Sequence, residues 1–395
     1  MPRPDSLAVA ALLTALVAFG PVSTDLYLPS LPAMTRALAT DAATVQLTLS
    51  VFLVGFAVSQ LVYGPLSDRF GRRPVLVAGT AIFVAAGVAC AVAPTIEALI
   101  VARFFQALGA CCGPVVGRAV VRDVYGREQA ARVLAYMGVA MALAPAIGPI
   151  IGGFLQVWLG WRANLWLLAG FGAASLIGVA TLLAETNRHM DSSAVRPGQM
   201  LRNYVILFGN RAYVGYVLVV ALTYSGIFAF ISGSSFVFVD LLGLSPVAYG
   251  LCFATGVTGY MAGTFASGRI TLRLGIERLV LAGTVVATVG GTAMLVFAAA
   301  GWLAVAPLLA PFFVFMIGTG LILPNAVAGA IGPFPTMAGL ASALLGFVQM
   351  ATAALVGIGV GRLTGASGLP MAAAMFLVST GAALAYLTLV RGADR

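Results

Sequence analysis

The chain has 395 residues, of which 61% are hydrophobic and only 8% are charged. Because a soluble globular domain carries about 25% charged residues, this composition indicates a membrane protein with many spans and excludes a soluble enzyme. The formal net charge of +9 comes entirely from arginine, since the sequence contains no lysine. The arginines lie in short segments between apolar stretches, so they predict membrane topology and not a nucleic-acid-binding surface.

Neither the cysteines nor the single histidine indicates a cofactor. Cys90, Cys111, Cys112 and Cys252 all fall within apolar segments, without disulfide or metal-ligand spacing. The vicinal pair Cys111–Cys112 is a redox candidate, but small residues for helix packing are the favoured interpretation. His189 lies in a polar stretch. We therefore predict no metal and no cofactor.

Apolar spans follow one another along the whole chain, each of roughly 18–28 residues and long enough to cross a hydrocarbon core of ~30 Å. The first span follows Arg3 and is similar to a secretory signal, but no convincing cleavage site follows it. We interpret it as an uncleaved helix. The twelve predicted spans are residues 7–29, 43–66, 74–93, 96–121, 130–157, 162–184, 212–239, 246–270, 277–300, 303–328, 337–362 and 367–390.

The longest polar stretch, Glu185 to Asn210, divides these spans six and six. It predicts an N-terminal six-helix bundle at 1–186, a linker at 187–210 and a C-terminal bundle at 211–395. With the N-terminus inside, 17 arginines fall on the cytoplasmic side and three on the outer side. The positive-inside rule therefore predicts that both termini are cytoplasmic.

A dense ionic cluster, Gly64–Pro74, separates the second and third spans. It must lie outside the hydrocarbon, since a central Arg or Asp costs about 2.5–3.5 kcal/mol. Asp68 is placed to cap the following helix or to pair with an arginine of a neighbouring loop. A basic cytoplasmic loop explains the arginines, but not an aspartate between Gly64 and Gly71.

This residue order, Gly-x-Leu-Ser-Asp-Arg-x-Gly-Arg-Arg, resembles the loop between helices 2 and 3 of the major facilitator superfamily. The resemblance implies an all-α integral membrane fold with 12 transmembrane helices in two pseudo-symmetric six-helix halves around a central cavity. An internal repeat agrees with it, because three residues recur 204 positions later and Leu272 replaces Asp68. The recurring residues are Gly64, Arg69 and Gly71, which become Gly268, Arg273 and Gly275.

Two ionisable residues fall inside predicted spans, where they are costly and indicate function. Asp25 lies near the outer end of the first span and Arg103 about six residues into the fourth. Arg103 with Gln106 is similar to the motif Arg-x-x-Gln-Gly of proton-coupled transporters, although Ala107 departs from it. The resemblance implies proton coupling by Asp25 and Arg103 within reach of each other. The alternatives are a capping aspartate in an interfacial loop and an arginine that extends to the surface.

The fifth span contains a Gly-Pro-x-x-Gly-Gly pattern that resembles the antiporter motif of exporters in this superfamily. Its prolines bend the helix and its glycines allow backbone contact. The motif residues are Pro145, Gly148, Pro149, Gly152 and Gly153.

Further segments, among them Asp25–Pro32 and Gly233–Phe238, look like the Bcr/CflA group of bacterial drug exporters. The superfamily geometry implies a cavity lined mainly by helices 1, 4, 7 and 10. A lipid-facing or core stripe is the alternative for the aromatic residues of the seventh span. The candidate cavity residues are Tyr27, Gln46, Ser50, Gln60, Gln106, Tyr216, Tyr224, Phe228, Ser232, Phe236, Asn325 and Gln349.

Together these features predict a monomeric proton-coupled antiporter of the bacterial inner membrane. It would export small, fairly apolar drugs or metabolites of the phenicol or bicyclomycin-like class, with the proton gradient in place of a cofactor. A cytoplasmic gating loop would open as the halves rock. The alternatives are an importer or facilitator of a small polar solute and, from another class, an integral-membrane enzyme. The gating-loop residues are Gly64, Asp68, Arg69, Gly71, Arg72, Arg73, Arg122 and Asp123.

Overall fold

The computed structural model describes residues 6–125, 127–187, 204–334, 337–363 and 367–391, and within these ranges every regular element is a helix. The first half contains α1 (Leu7–Val17), α2 (Phe19–Asp25), α3 (Leu31–Ala37), α4 (Ala42–Phe70), α5 (Arg72–Val92), α6 (Ile96–Ala110), α7 (Cys112–Val124), α8 (Arg127–Leu159) and α9 (Trp161–Leu182). A short helix α10 (204–209) precedes the second half. That half contains α11 (Arg211–Ser235), α12 (Pro246–Leu274), α13 (Ile276–Ala299), α14 (Val305–Ile331), α15 (Ala338–Leu363) and α16 (Leu369–Ala385).

The predicted spans agree with these helices within a few residues at most ends. Within the described residues, ten helices are long and apolar enough to cross a membrane, and the bent first segment makes up to eleven. Helix α12 is not among them; it has 29 residues and corresponds to the predicted span 246–270. The arrangement is that of a multi-pass membrane protein. The predicted linker lies largely outside the described residues, so the division at 187–210 stays a prediction.

The first span is not the continuous helix that we expected. It breaks at Ala18 and bends by 45° between Leu7–Val17 and Phe19–Ala37. Pro21 explains the break, because it has no N–H to donate to the carbonyl group of Val17, four residues earlier. A 3-10 turn, Leu28–Ser30, then separates α2 from α3. The bend leaves Asp25 at the C-terminal end of α2, inside the bundle.

The repeat extends to the backbone. Helices α4 and α12 both have 29 residues and are offset by 204 positions. Each starts with a side-chain cap: the Asp41 carboxylate accepts a hydrogen bond from the amide of Thr44, and the Ser245 hydroxyl accepts one from the amide of Ala248. The equal length, constant offset and equivalent caps of α4 and α12 agree with two pseudo-symmetric halves.

The two ends of the bundle differ in how the halves meet. We call the end with Gly71 and Gly275 the turn face, and the end with Arg36 and Asp240 the opposite face. At the opposite face, Arg36 Nη1 lies 3.0 Å from Asp240 Oδ1, which joins α3 to the segment after α11. Helices α8 and α12 also touch there through backbone atoms, since a Cβ on Gly153 would lie 2.7 Å from the Pro246 carbonyl oxygen. The bundle is therefore closed at the opposite face.

Candidate functional site

A cavity of about 400 Å³ lies between the two halves of the bundle. Its size falls in the range of pockets for drug-sized molecules. It extends from Asp25, in the middle of the bundle, to Ser342 in the second turn of α15, near the turn face. Most of its wall is apolar or aromatic. Six predicted site residues line it, namely Asp25, Gln60, Pro145, Tyr224, Phe228 and Gln349.

Asp25 is the only carboxylate among the described residues that line this cavity. It is buried, with 4% of its surface exposed. The hydroxyl oxygen of Thr24 lies 3.0 Å from Asp25 Oδ1 and also 3.0 Å from the carbonyl oxygen of Pro21. A threonine hydroxyl has one proton, so it donates to one of these acceptors at a time. The carbonyl oxygen of Gly20, at 3.3 Å, is a further acceptor, so the hydroxyl can donate either to the carboxylate or to the backbone.

The predicted antiporter motif of α8 lies against this acidic site. A Cβ on Gly148 would be 3.6 Å from Asp25 Cβ, whereas one on Gly152 would overlap the carbonyl oxygen of Leu26. The lack of a side chain at Gly152 is therefore what allows α8 to touch the backbone next to Asp25. Pro145 lines the cavity. On its other side, α8 meets α12, where a Cβ on Gly250 would be 2.5 Å from the Pro149 carbonyl oxygen.

Arg103 is fully buried on α6, behind the cavity wall. Its Nη2 donates to the carbonyl oxygen of Ser23 at 2.8 Å and its Nη1 to Gln106 Oε1 at 2.5 Å. The guanidinium carbon also lies 4.4 Å from the ring centre of Phe52 and 4.6 Å from that of Tyr27. A carbonyl group, an amide and two aromatic faces thus solvate the charge.

We expected Arg103 to lie within reach of Asp25. The ion pairs of the described residues include neither side chain. Arg103 instead holds the backbone of Ser23, two residues before Asp25. In this conformation its contact with the first span is thus through the backbone of α2, and proton coupling by the two residues stays a prediction.

The other predicted cavity residues do not line the cavity in this conformation. They fill contacts between helices instead. The prediction missed this because helical periodicity identifies which face of a helix is buried, but not the depth at which a cavity opens. Four of them form hydrogen bonds: Tyr27 with Thr48, Gln106 with Arg103, Gln46 with the Ser232 carbonyl group and Asn325 with Ser267. The others are packed: Ser50 and Ser232 lie near Gly357, and Tyr216 packs on Gly329. Phe236 is buried in the π-helical end of its span.

The predicted gating loop forms an ionic network around Arg72. Arg72 Nη1 lies 2.6 Å from Asp68 Oδ1, and Arg72 Nε lies 3.0 Å from Asp123 Oδ2 on α7. The Arg72 side chain is 11% exposed, whereas that of Asp68 is 49% exposed. Arg69 lies over the ring of Phe70. Arg122 is exposed and takes no part in the ion pairs of the described residues.

One detail of the loop differs from the prediction. Asp68 does not cap the following helix, because it lies inside α4, and α5 begins at Arg72. Glu185 caps α5 instead, with Oε1 accepting from the amide of Arg72 at 2.9 Å and Oε2 from that of Arg73 at 3.1 Å. The carboxylate so placed compensates the positive end of the helix dipole. The guanidinium of Arg73 donates to the carbonyl oxygen of Ala180.

Sequence reasoning missed one charged residue of the cavity. We counted Arg118 with the cytoplasmic helix ends, yet it lines the cavity on α7. Its position inside the predicted span 96–121 was the available signal. The methionines of the wall, Met141, Met316 and Met350, were also not predicted, because a methionine in an apolar span carries no signal of its own.

Comparison with known proteins agrees with this architecture. The sequence profile of the Major Facilitator Superfamily matches residues 8–358, and the chain belongs to this superfamily. It is therefore a membrane transporter and not an enzyme. An uncharacterized MFS-type transporter of Bacillus subtilis (strain 168), YdgK, is 32% identical over 98% of this chain and 96% of that protein.

Two further relatives have names that refer to resistance. Multidrug resistance protein D of Escherichia coli (strain K12) is 32% identical over 88% of this chain and 87% of that protein. The chloramphenicol resistance protein of Pseudomonas aeruginosa is 31% identical over 81% of this chain and 75% of that protein. Among solved structures, a peptide transporter POT in complex with sulfate is 14% identical, with a TM-score of 0.79 over 98% of this chain and 94% of that one. That likeness shows the fold.

Proposed function

We propose that this protein is a proton-coupled antiporter that exports small, fairly apolar drugs or metabolites across the bacterial inner membrane. The observation that carries the proposal is a buried carboxylate, Asp25, in the wall of an apolar cavity. Relatives named for multidrug and chloramphenicol resistance support drugs as the cargo. Phenicols and bicyclomycin-like compounds are the first substrates to test. The transporter works as a monomer.

The turn face is the cytoplasmic side in this proposal, with both termini there. The arginine distribution supports this orientation, because 17 arginines fall on that side in the predicted topology. The cavity reaches Ser342 near the turn face, while Arg36 and Asp240 join the halves at the opposite face. The conformation is then inward-facing, ready to take up cargo from the cytoplasm.

In this proposal, proton coupling uses the ability of the Thr24 hydroxyl to donate either to the carboxylate of Asp25 or to the backbone. When Asp25 is ionised, the hydroxyl donates to the carboxylate, which favours the charged form. When Asp25 is protonated, the hydroxyl is free to donate to the carbonyl oxygen of Pro21, at the bend of the first span. Protonation thus changes a hydrogen bond at the bend. Gly148 and Gly152 bring α8 against the same segment, so the change reaches the contact between α8 and α12.

The network around Arg72 serves as the gating loop in this cycle. It lies within the first half and joins the turn after α4 to the end of α7 through Asp68 and Asp123. Two exposed or partly exposed ion pairs contribute little to stability. Their use is to keep the turn and α7 as one unit while the halves rock around the cavity.

The test is drug-dependent proton movement in inverted membrane vesicles that contain the protein. Respiration acidifies the vesicle lumen, and a fluorescent pH dye reports the gradient. An antiporter lets protons leave the lumen when chloramphenicol is added, so the gradient decreases and the drug accumulates inside. Vesicles without the protein are the control. Drug that only equilibrates, without response to an uncoupler, would show a facilitator, and drug that leaves the lumen together with protons would show a symporter.

A further inference from the structure

The cavity carries a positive charge that the proton-coupling mechanism does not use. Among the described residues of its wall, only Asp25 and Arg118 carry a formal charge. Both come from the first half of the chain. The second half contributes aromatic and apolar side chains, including Tyr224, Phe228 and Met316. The wall is therefore an apolar surface with one acid and one guanidinium.

Arg118 is held in place by its own helix. Its Nε donates to the carbonyl oxygen of Pro114, one turn earlier on α7, at 2.5 Å. The side chain is exposed, lines the cavity and takes no part in the ion pairs of the described residues. A guanidinium has five N–H donors, so most of them remain for a partner in the cavity.

Arg118 and Asp25 lie at different levels of the cavity. The residue before Arg118, Gly117, packs on Val17, since a Cβ there would be 3.7 Å from Val17 Cγ2. Val17 and Asp25 are eight residues apart along the bent first span, which corresponds to at most ~12 Å. The Arg118 side chain extends back to the Pro114 carbonyl group, so the two charges are closer than this backbone spacing but form no ion pair. Asp25 does not neutralise Arg118 through a direct contact.

Water in the cavity can solvate this exposed charge, and an anionic group of a ligand can replace that water with charge-assisted hydrogen bonds. We infer that the cavity selects amphiphilic monoanions, whose carboxylate or sulfonate group binds the Arg118 guanidinium while an aromatic body lies along the wall toward Asp25. The inference rests on the proposed export function and names its substrate class. The complementary charge comes from Arg118 alone, so the cargo can bind while Asp25 is ionised, and protonation of Asp25 can alternate with cargo binding as antiport requires.

A matched pair of fluorescent probes tests this inference. Anilinonaphthalene sulfonate is anionic, and N-phenylnaphthylamine has the same rings without the sulfonate. Binding of each is titrated on the protein in lipid nanodiscs, with empty nanodiscs as the blank. Arg118→Gln is expected to weaken binding of the sulfonate at least tenfold, because a charge-assisted hydrogen bond is lost, and to leave the neutral probe within twofold. Arg118→Lys is expected to restore part of the sulfonate binding.

Arg278→Gln is the matched control, since Arg278 is exposed at the turn face and does not line the cavity. It should bind both probes as the wild type does. Equal binding of the sulfonate by wild type and Arg118→Gln, with the neutral probe also unchanged, overturns the inference. In that case the vesicle assay with chloramphenicol still tests export separately. Drug-dependent proton movement without anion selectivity refutes only the inference, whereas its absence with both chloramphenicol and anilinonaphthalene sulfonate refutes the proposed function.

Discussion

The two turns at the turn face have the same backbone and very different side chains. Helix α4 ends at Phe70, and Gly71 follows with φ 95° and ψ 157°. Helix α12 ends at Leu274, and Gly275 follows with φ 80° and ψ 162°. In both, the next helix begins one residue later. This region of φ and ψ is accessible essentially to glycine alone, so glycine fixes the turn in each half.

Only the first turn carries an ionic network. Asp68 pairs with Arg72 there, whereas Leu272 occupies the corresponding position of the second turn and is 97% exposed. Since the second turn forms without these charges, the network is not needed for the backbone conformation. It is an addition to the first half, and this supports a role in gating rather than in folding.

The cavity shows the same asymmetry between the halves. Its two charged residues, Asp25 and Arg118, come from the first half. Between positions 204 and 391 the sequence has only two acidic residues, Asp240 and Glu277, and neither lines the cavity. We conclude that the first half supplies both charges of the cavity wall, whereas its apolar and aromatic surface comes from both halves. The following predictions test this difference.

The largest effect is expected from removing the acid of the first half. Asp25→Asn keeps the volume of the side chain but cannot bind and release a proton. Proton-driven export in inverted vesicles should fall to the level of vesicles without protein. Asp41→Asn, at the exposed cap of α4, is the matched control and should retain export. Wild-type rates in Asp25→Asn would place the proton site elsewhere.

Arg103 comes next, and its variants separate two hypotheses. If it holds α2 through the Ser23 carbonyl group, Arg103→Ala should lower export more than tenfold at every pH, equal to over ~1.4 kcal/mol on the barrier. Arg103→Lys should recover part of the rate, since it keeps one donor but not the planar fork. If the charge itself tunes proton binding at Asp25, the pH profile of export should shift instead. A pH series on the three proteins decides between position and charge.

Asp68→Asn tests the network directly. It removes the charge that pairs with Arg72 while the glycine turn remains, so drug affinity should stay within about twofold. Turnover should fall about tenfold, or ~1.4 kcal/mol on the barrier. Leu272→Asp in the second turn should not rescue it, because the position one turn after it there is Ile276 instead of Arg72. Lost affinity with normal turnover would contradict a gating role.

Glycine substitutions compare how much stability each turn loses when its glycine acquires a side chain. Gly71→Ala and Gly275→Ala should each cost about 1–3 kcal/mol, because both place a side chain in a strained region. Gly71→Ala should be the more damaging of the two, since its Cβ would lie 2.5 Å from Glu185 Oε2, whereas nothing lies within 4 Å at Gly275. Thermal unfolding in detergent, followed by labelling of the buried cysteines, measures the difference. Equal losses would mean that Glu185 moves aside freely.

The fold was largely predictable because span length, hydropathy and arginine placement are local properties of the sequence. The bend at Ala18 was also readable from Pro21, although we expected a straight helix. The site was less predictable. Asp25 and the antiporter motif were identified, but which way Arg118 faces depends on how α7 packs against α1, which no local pattern specifies.

Long-range contacts explain the remaining errors. Glu185 caps α5 from 113 positions away along the chain, and sequence reasoning placed the cap on the nearby Asp68. Local capping rules consider only the residues next to a helix. Asp25 was expected within reach of Arg103, yet a backbone carbonyl oxygen 80 positions away accepts its hydrogen bond instead. Buried polar groups need a partner, but the sequence does not say which one.

The smallest effect in this series concerns the Glu185 cap, which has no equivalent in the described part of the second turn. Glu185 accepts hydrogen bonds from the amides of Arg72 and Arg73 at the start of α5. It is exposed, so water screens its charge, and Glu185→Gln should cost only about 0.5–1 kcal/mol. Glu277→Gln is the matched control, an exposed glutamate in the first turn of α13, and should cost less. Both are measured by the same thermal unfolding assay. A larger loss in Glu277→Gln would show that the second turn has an electrostatic support of its own, and the contrast between the two turns would then be wrong.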